Sequence, residues 1–116
     1  MTTYQATNGG PTYDSDGNLL VQTANGNATA SVPTGAANTV VSAAAGQLMR
    51  VLVTTAGAGA GNVLIYDNAT TNSGTVVGII PSTIAIGTVY TFNMPVAHGI
   101  VVTNVASGPV LTVSYA

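Results

Sequence analysis

Charge is what this 116-residue chain lacks most: Arg50, Asp14, Asp16 and Asp67 are all it carries, 3% of the sequence, against roughly 25% in an average soluble protein. Lys, Glu, Cys and Trp are absent. Affinity for a phosphate backbone comes from several Lys or Arg releasing counterions, so a single Arg all but excludes nucleic-acid binding. The same count excludes docking on an anionic membrane surface. One His, three Asp and no Cys offer no metal-ligand cluster. The missing Cys is compatible with any redox compartment. General acid–base chemistry has almost no groups to draw on, and no enzyme and no cofactor are expected. About 18 uninterrupted apolar residues are needed for a membrane span, and no such run occurs. The opening MTTYQATNGG has neither a basic nor an apolar region of the kind a secretory signal uses.

What is present is aliphatic and hydroxylated. Mean hydropathy is +0.47, and Val, Ile and Leu are plentiful, which sets the chain apart from disordered sequences. With so few charges the exterior must be built from Thr, Ser, Asn, Gly and Ala. A net charge of -2 gives up most of the repulsion that keeps small domains apart, so association is expected. A neutral, Thr-rich surface without an export signal points to a protein made in the cytoplasm and exposed to the outside later, as a virion component would be.

The stretch Gly61 to Pro81 organises the rest. Val63 to Tyr66 and Val76 to Ile80 are apolar runs, and Asn68 to Gly74 between them holds the Asn, Thr, Ser and Gly that turns use. Neither run alternates cleanly, so both faces of this sheet need cover, one of them from more chain or from a partner. Further strands are predicted at Thr39 to Ala43, Leu48 to Thr55, Val89 to Met94, Gly99 to Val105 and Pro109 to Tyr115. No segment has helical period, and the spacing predicts an all-β antiparallel sandwich or jelly roll. Tyr90, Phe92 and Met94 are expected to point inward, as are Leu111, Val113 and Tyr115. In LMRVLVTT the same alternation puts Leu48, Arg50 and Leu52 on one face and Met49, Val51 and Val53 on the other.

Residues 1–36 read as an extended N-terminal arm and hairpin, the hairpin lying on the domain or on a neighbouring subunit, and residues 37–116 as the sandwich. The hairpin would pair Leu19 to Thr23 with Ala28 to Val32 around Asn25-Gly26, the dipeptide favoured in two-residue turns. Pro33 to Asn38 is the linker candidate. Interface candidates are Leu19 and Leu20 in the hairpin, Tyr4 and Tyr13 in the arm, and Leu48, Arg50 and Leu52 in the sandwich.

Constellations that imitate chemistry have bland readings beside them. Asp14-Ser15-Asp16-Gly17-Asn18 imitates a calcium loop, but its Gly is in the wrong place, Asn25 stands where a bidentate Glu is needed, and a turn explains it. Gly57 to Gly61 has no helix after it to make a phosphate site. His98 lies in a turn, and Asp67 with a serine would complete a triad only if geometry brought them together. The Asn-Ala-Thr sequons at Asn27 and Asn68 are expected by chance in such a composition. For Arg50 two readings stand: a stem lying on the sheet with its head in water, or an ion pair or carbonyl contact across a subunit interface. Its intramolecular partner, if any, should be Asp67.

The runs NVLIYDNATTNSGTVVGIIPST and GTVYTFNMPVAHGIVV and the ending GPVLTVSYA resemble the small β-sandwich decoration (cement or head-stabilising) proteins of tailed bacteriophages. The resemblance covers Val51 to Ala116. It is strongest at Tyr66-Asp67-Asn68, Ser73-Gly74-Thr75, Tyr90 to Pro95 and Thr112 to Ala116, while residues before Asn38 match nothing comparable. It implies a virion protein on the outer capsid surface, bound to the major capsid protein as a homo-oligomer, a trimer being favoured over a dimer. The alternatives are a receptor- or glycan-binding fibre-head module, for which Tyr4 and Tyr13 are the loose aromatic candidates, and a self-assembling surface subunit.

Overall fold

Eight strands and no helix make up residues 28–116, the part of the chain that the computed structural model describes. They are β1 (Ala28–Val32), β2 (Thr39–Ser42), β3 (Gly46–Thr55), β4 (Asn62–Asp67), β5 (Thr75–Pro81), β6 (Val89–Val96), β7 (Ile100–Thr103) and β8 (Val110–Tyr115). All seven strands expected from residue 39 onward are present. The arm with Tyr4 and Tyr13, and the hairpin's first strand with Leu19 and Leu20, lie outside the described residues.

Two four-stranded antiparallel sheets face each other, one in the order β1-β8-β3-β6 and the other β2-β7-β4-β5. The pairs β4 with β5, β3 with β6, β2 with β7 and β1 with β8 nest inside one another. The chain is thus a long two-stranded ribbon folded at the β4–β5 hairpin, its successive strand pairs laid alternately into the two sheets. The core between the sheets takes alternate residues from both: Val32, Leu48, Val51, Val53, Val96, Leu111 and Val113 from one, and Val41, Val63, Ile65, Ile80, Ile100 and Val102 from the other. Leu111 and Val113 point inward as expected, and Tyr115 packs against the same core.

Three expectations need correction. First, the sandwich does not begin at residue 37. β1 runs in unbroken register along β8 from Ala28 opposite Tyr115 to Val32 opposite Leu111, and Val32 is fully buried. Pro33 to Asn38 is therefore a tied crossover between sheets and not a linker. Gly35 N–H donates to Val105 O at 2.9 Å and Asn104 N–H to Ala36 O at 2.9 Å, while the Thr34 hydroxyl donates to Gly108 O at 2.8 Å. Small side chains in β1 hid its membership, because Ala and Ser carry little hydrophobic signal.

Second, Leu48 does not share a face with Arg50 and Leu52. The register shifts between Leu48 and Arg50 against both neighbouring strands, so Met49 is an extra residue against β8 and the alternation changes phase there. Leu48 is completely buried, while Leu52 is 39% exposed.

Third, Met94 does not follow Tyr90 and Phe92 into the core. Phe92 and Asn93 together oppose Met49, and Asn93 takes φ 49°, the left-handed conformation that Asn tolerates better than most residues. Beyond this bulge Met94 stays 39% exposed. Comparable bulges at Val41 and Val77 shift the registers of β2 and β5, which is why the second apolar run refused a clean alternation.

Candidate interaction surfaces

The outer face of the first sheet is hydroxyl-rich. Cross-strand register lines up Thr29, Ser114, Arg50 and Thr91 in one row, and Ser31, Thr112, Leu52 and Val89 in the next. Arg50 is exposed, and Asp67, the one acid the sequence offered as an intramolecular partner if there was one, does not pair with it. Its stem lies among Thr and Ser side chains on the sheet surface, with Leu52 two residues along the same face.

Asp67 is committed elsewhere. Its carboxylate accepts the backbone N–H groups of Ala97 at 2.9 Å and His98 at 2.8 Å, with Gly99 at 3.4 Å. These bonds, Ala97's foremost, hold its carboxyl below the ordinary carboxylate value. The imidazole Nδ1 of His98 lies 3.5 Å from the same carboxylate on a side chain that is 72% exposed. Asp67 therefore caps the β6–β7 turn and ties it to the end of β4. This pairing was missed because 30 residues separate the partners in sequence and the cap is made to backbone, which carries no residue-type signal. Among the described residues no three of His, Asp, Glu and Cys gather where a metal could be held.

The second sheet's outer face is apolar and partly roofed. Asn68 closes the β4–β5 loop on itself: its Oδ1 accepts Thr70 N–H at 2.9 Å and Thr71 N–H at 3.0 Å, and its Nδ2 donates to Ser73 O at 3.1 Å. The loop then reaches across β7 to the start of β2, where Asn38 Nδ2 donates to Thr70 O at 3.0 Å and Asn72 Nδ2 to Ala37 O at 3.4 Å. Val101, on the side of β7 away from the core, is fully buried. The second face thus receives some of its cover from the chain itself.

What stays uncovered lies mostly on or beside edge strands β5 and β6, but on both outer faces of the sandwich: Val76 and Ile79 point out from the second sheet, and Leu52 and Val89 from the first. Of the seven large apolar side chains exposed among the described residues, Val76 and Ile79 are on β5, Ile86 is in the β5–β6 connection, Val89 and Met94 are on β6, and Leu52 lies opposite Val89. Only Val40 is elsewhere. Gly78 sets how closely the two edges approach: a Cβ there would sit 2.9 Å from the Phe92 ring and 3.0 Å from Ile65 Cδ1. Phe92 lies on Gly78 and closes the rim, with Tyr90 stacked beside it at a ring-centroid distance of 6.0 Å. Of the three sequence-proposed interface residues among the described ones, Leu48, Arg50 and Leu52, only Leu52 is among these exposed apolar side chains. Ile79, Ile86 and Val89 were missed because an apolar residue in a strand or strand-end loop reads as core until the partner sheet is in place.

Comparisons of the chain with protein-family models, with curated proteins and with solved structures find no match.

Proposed function

We propose that this chain is a structural virion protein: it binds the outer shell of a tailed-bacteriophage capsid as a homo-oligomer, with the major capsid protein as its partner, and is assembled in the host cytoplasm. The observation that carries this reading is an all-β sandwich with almost no charged side chains that leaves large apolar side chains exposed on both outer faces beside strands β5 and β6. Such a surface suits burial against another protein. The nested pairing of the eight strands supports the reading further, since we take it as the winding of a jelly roll, an architecture common in viral capsid and lectin domains. Fold likeness alone does not assign a function, so the composition and the resemblance over Val51 to Ala116 remain part of the case.

Bracing a shell needs buried area and not chemistry. Each 1,000 Å² of apolar surface removed from water contributes on the order of 25 kcal/mol before the costs of association. With so few charges to screen, binding should be nearly indifferent to salt. The test is cosedimentation of the purified chain with undecorated mature heads. Saturable binding at a fixed ratio per capsomer, followed by greater resistance of the heads to heat, is the expected result. A tenfold loss of affinity on a moderate rise in salt contradicts the model. Failure to bind heads, with binding to cells or glycans instead, moves the assignment to a receptor-binding module.

A further inference from the structure

We infer that the outer edge of β1 is a strand-docking site, and that its occupant is residues 19–23 of the same chain, which lie outside the described residues and would make the first sheet five-stranded. Among the described residues β1 pairs with one neighbour only, β8. The other three edge strands are obstructed against further pairing. β2 carries the bulge at Val41, β5 the bulge at Val77 and then Pro81, and β6 the left-handed Asn93 and then Pro95. Bulges, prolines and charges are the devices that keep an edge from taking up another strand. β1 has none of them: its register along β8 is unbroken from Ala28 to Val32, and its sequence is ATASV.

The direction of the backbone groups fixes which β1 residues would take the new strand. Gln47 N–H donates to Ala116 O at 2.8 Å and Ala116 N–H to Gln47 O at 3.0 Å, so Ala116 turns its polar groups toward β3. Successive residues of a strand turn these groups to opposite sides. Tyr115, Val113 and Leu111 therefore face β1, where they meet Ala28, Ala30 and Val32. Val53 gives the same answer from the other side: its N–H donates to Thr88 O and its C=O accepts Gly87 N–H, which turns Val53 toward β6, Leu52 toward β8, and Thr112 opposite Leu52 toward β3. Thr29 and Ser31 are left aiming their N–H and C=O groups at the outer edge.

The sequence before β1 fits that edge in register. A two-residue turn at Asn25-Gly26 bonds Ala24 to Asn27 across it. Counting outward, the next hydrogen-bonded pairs are Gln22 with Thr29 and Leu20 with Ser31, the same two β1 residues whose groups point outward. The faces agree as well. Directly paired residues share a face, so Leu19 falls beside the fully buried Val32, and Val21 beside Ala30, which packs against the core and is only partly buried. Gln22 and Leu20 join Thr29 and Ser31 on the outside. Thr23 stands five residues before Ala28 and so within about 17 Å of it, which holds the segment beside this edge.

Nothing in this pairing depends on the capsid reading, and heads can bind or fail to bind whichever strand fills the edge. The first measurement is amide hydrogen exchange of the full chain, followed residue by residue by NMR. Thr29 and Ser31 should be protected to within about tenfold of Ala30, whose amide faces β8. Gln22→Pro, which removes an N–H from the new ladder, should speed exchange at Thr29 and Ser31 at least about tenfold while Ala30 keeps its protection. Exchange of Thr29 and Ser31 at the rate of unstructured amides in the wild type overturns the inference. The second measurement identifies whose segment it is, and the absence of native cysteine makes it clean. Val21→Cys with Ala30→Cys, a facing pair with Cα atoms about 4.5 Å apart, should oxidise within one chain at least about tenfold faster than Gln22→Cys with Ala30→Cys, whose side chains leave opposite faces. Equal oxidation of the two pairs, or disulfide-linked dimers that make the occupant a second copy, overturns the inference.

Discussion

The two rims of this sandwich are closed in different ways. At the β1–β2 side β1 carries small residues, Ala28, Thr29, Ala30 and Ser31, and the crossover beside it is closed by polar groups. Asn104, nearly buried, donates through Nδ2 to Pro33 O at 3.0 Å and Pro109 O at 2.7 Å, and its Oδ1 accepts Val105 N–H at 2.8 Å. At the β5–β6 side closure is a ring on a glycine, Phe92 on Gly78, and the flanking apolar residues are left in water. A polar clamp satisfies directional groups and stops there, while apolar packing has no natural end until a further surface covers it.

That comparison can be broken from either side. The deepest cut is Leu48→Ala, in the core that both rims enclose, which should destabilise the chain by about 2–5 kcal/mol in denaturant unfolding. Leu52→Ala, four residues along the same strand, should cost the subunit under about 1 kcal/mol, because Leu52 lies on the surface. Equal costs would mean that the register shift at Met49 is absent. Opening the polar rim with Asn104→Ala strands two carbonyls and an N–H in a buried setting and should cost about 2–3 kcal/mol. Overfilling the apolar rim with Gly78→Ala forces the Phe92 ring outward and should cost about 1–3 kcal/mol, with a changed near-ultraviolet signal from Tyr90 as a local readout.

Acid should loosen the tie between β4 and the β6–β7 turn. Because the Asp67 carboxyl is held below its ordinary value by the N–H groups of Ala97 and His98, its contribution is fully present above the unfolded-state carboxylate value and is lost as pH falls through the lower folded one. Thermal unfolding of the wild type and of Asp67→Asn, followed from pH 6 downward, should therefore converge at low pH. A gap that stays constant would remove the cap from the account. The smallest effect belongs to Arg50→Ala, expected within about 0.5 kcal/mol by chemical denaturation, since Asp67 is not its partner.

Much of this arrangement was legible in advance. Seven strands, the turn at Asn68 to Gly74, the inward set of Leu111 and Val113 and the absence of helix all follow from residue type and local period. The misreadings share one cause. Period-two alternation is a local rule, and a single extra residue inverts every side chain beyond it, so bulges at Met49 and Asn93 moved Leu48 into the core and Met94 out of it. β1 was misassigned to an arm because Ala and Ser say little about which surface they lie on. Its place was decided by the free partner edge that β8 presents.

What the sequence determined by itself is the class of molecule: an all-β chain with almost no charge, whose surface must be built from hydroxyl and apolar groups. Those are consequences of composition and of side-chain preferences within a strand, and they need no partner to be evaluated. Which apolar residues remain outside was decided only by tertiary structure. Val63 and Ile79 are both β-branched aliphatic residues in neighbouring strands, yet one is sealed and the other is half in water. Burial depends on what lies across the sheet, and that is set by how the folded ribbon stacks its strands.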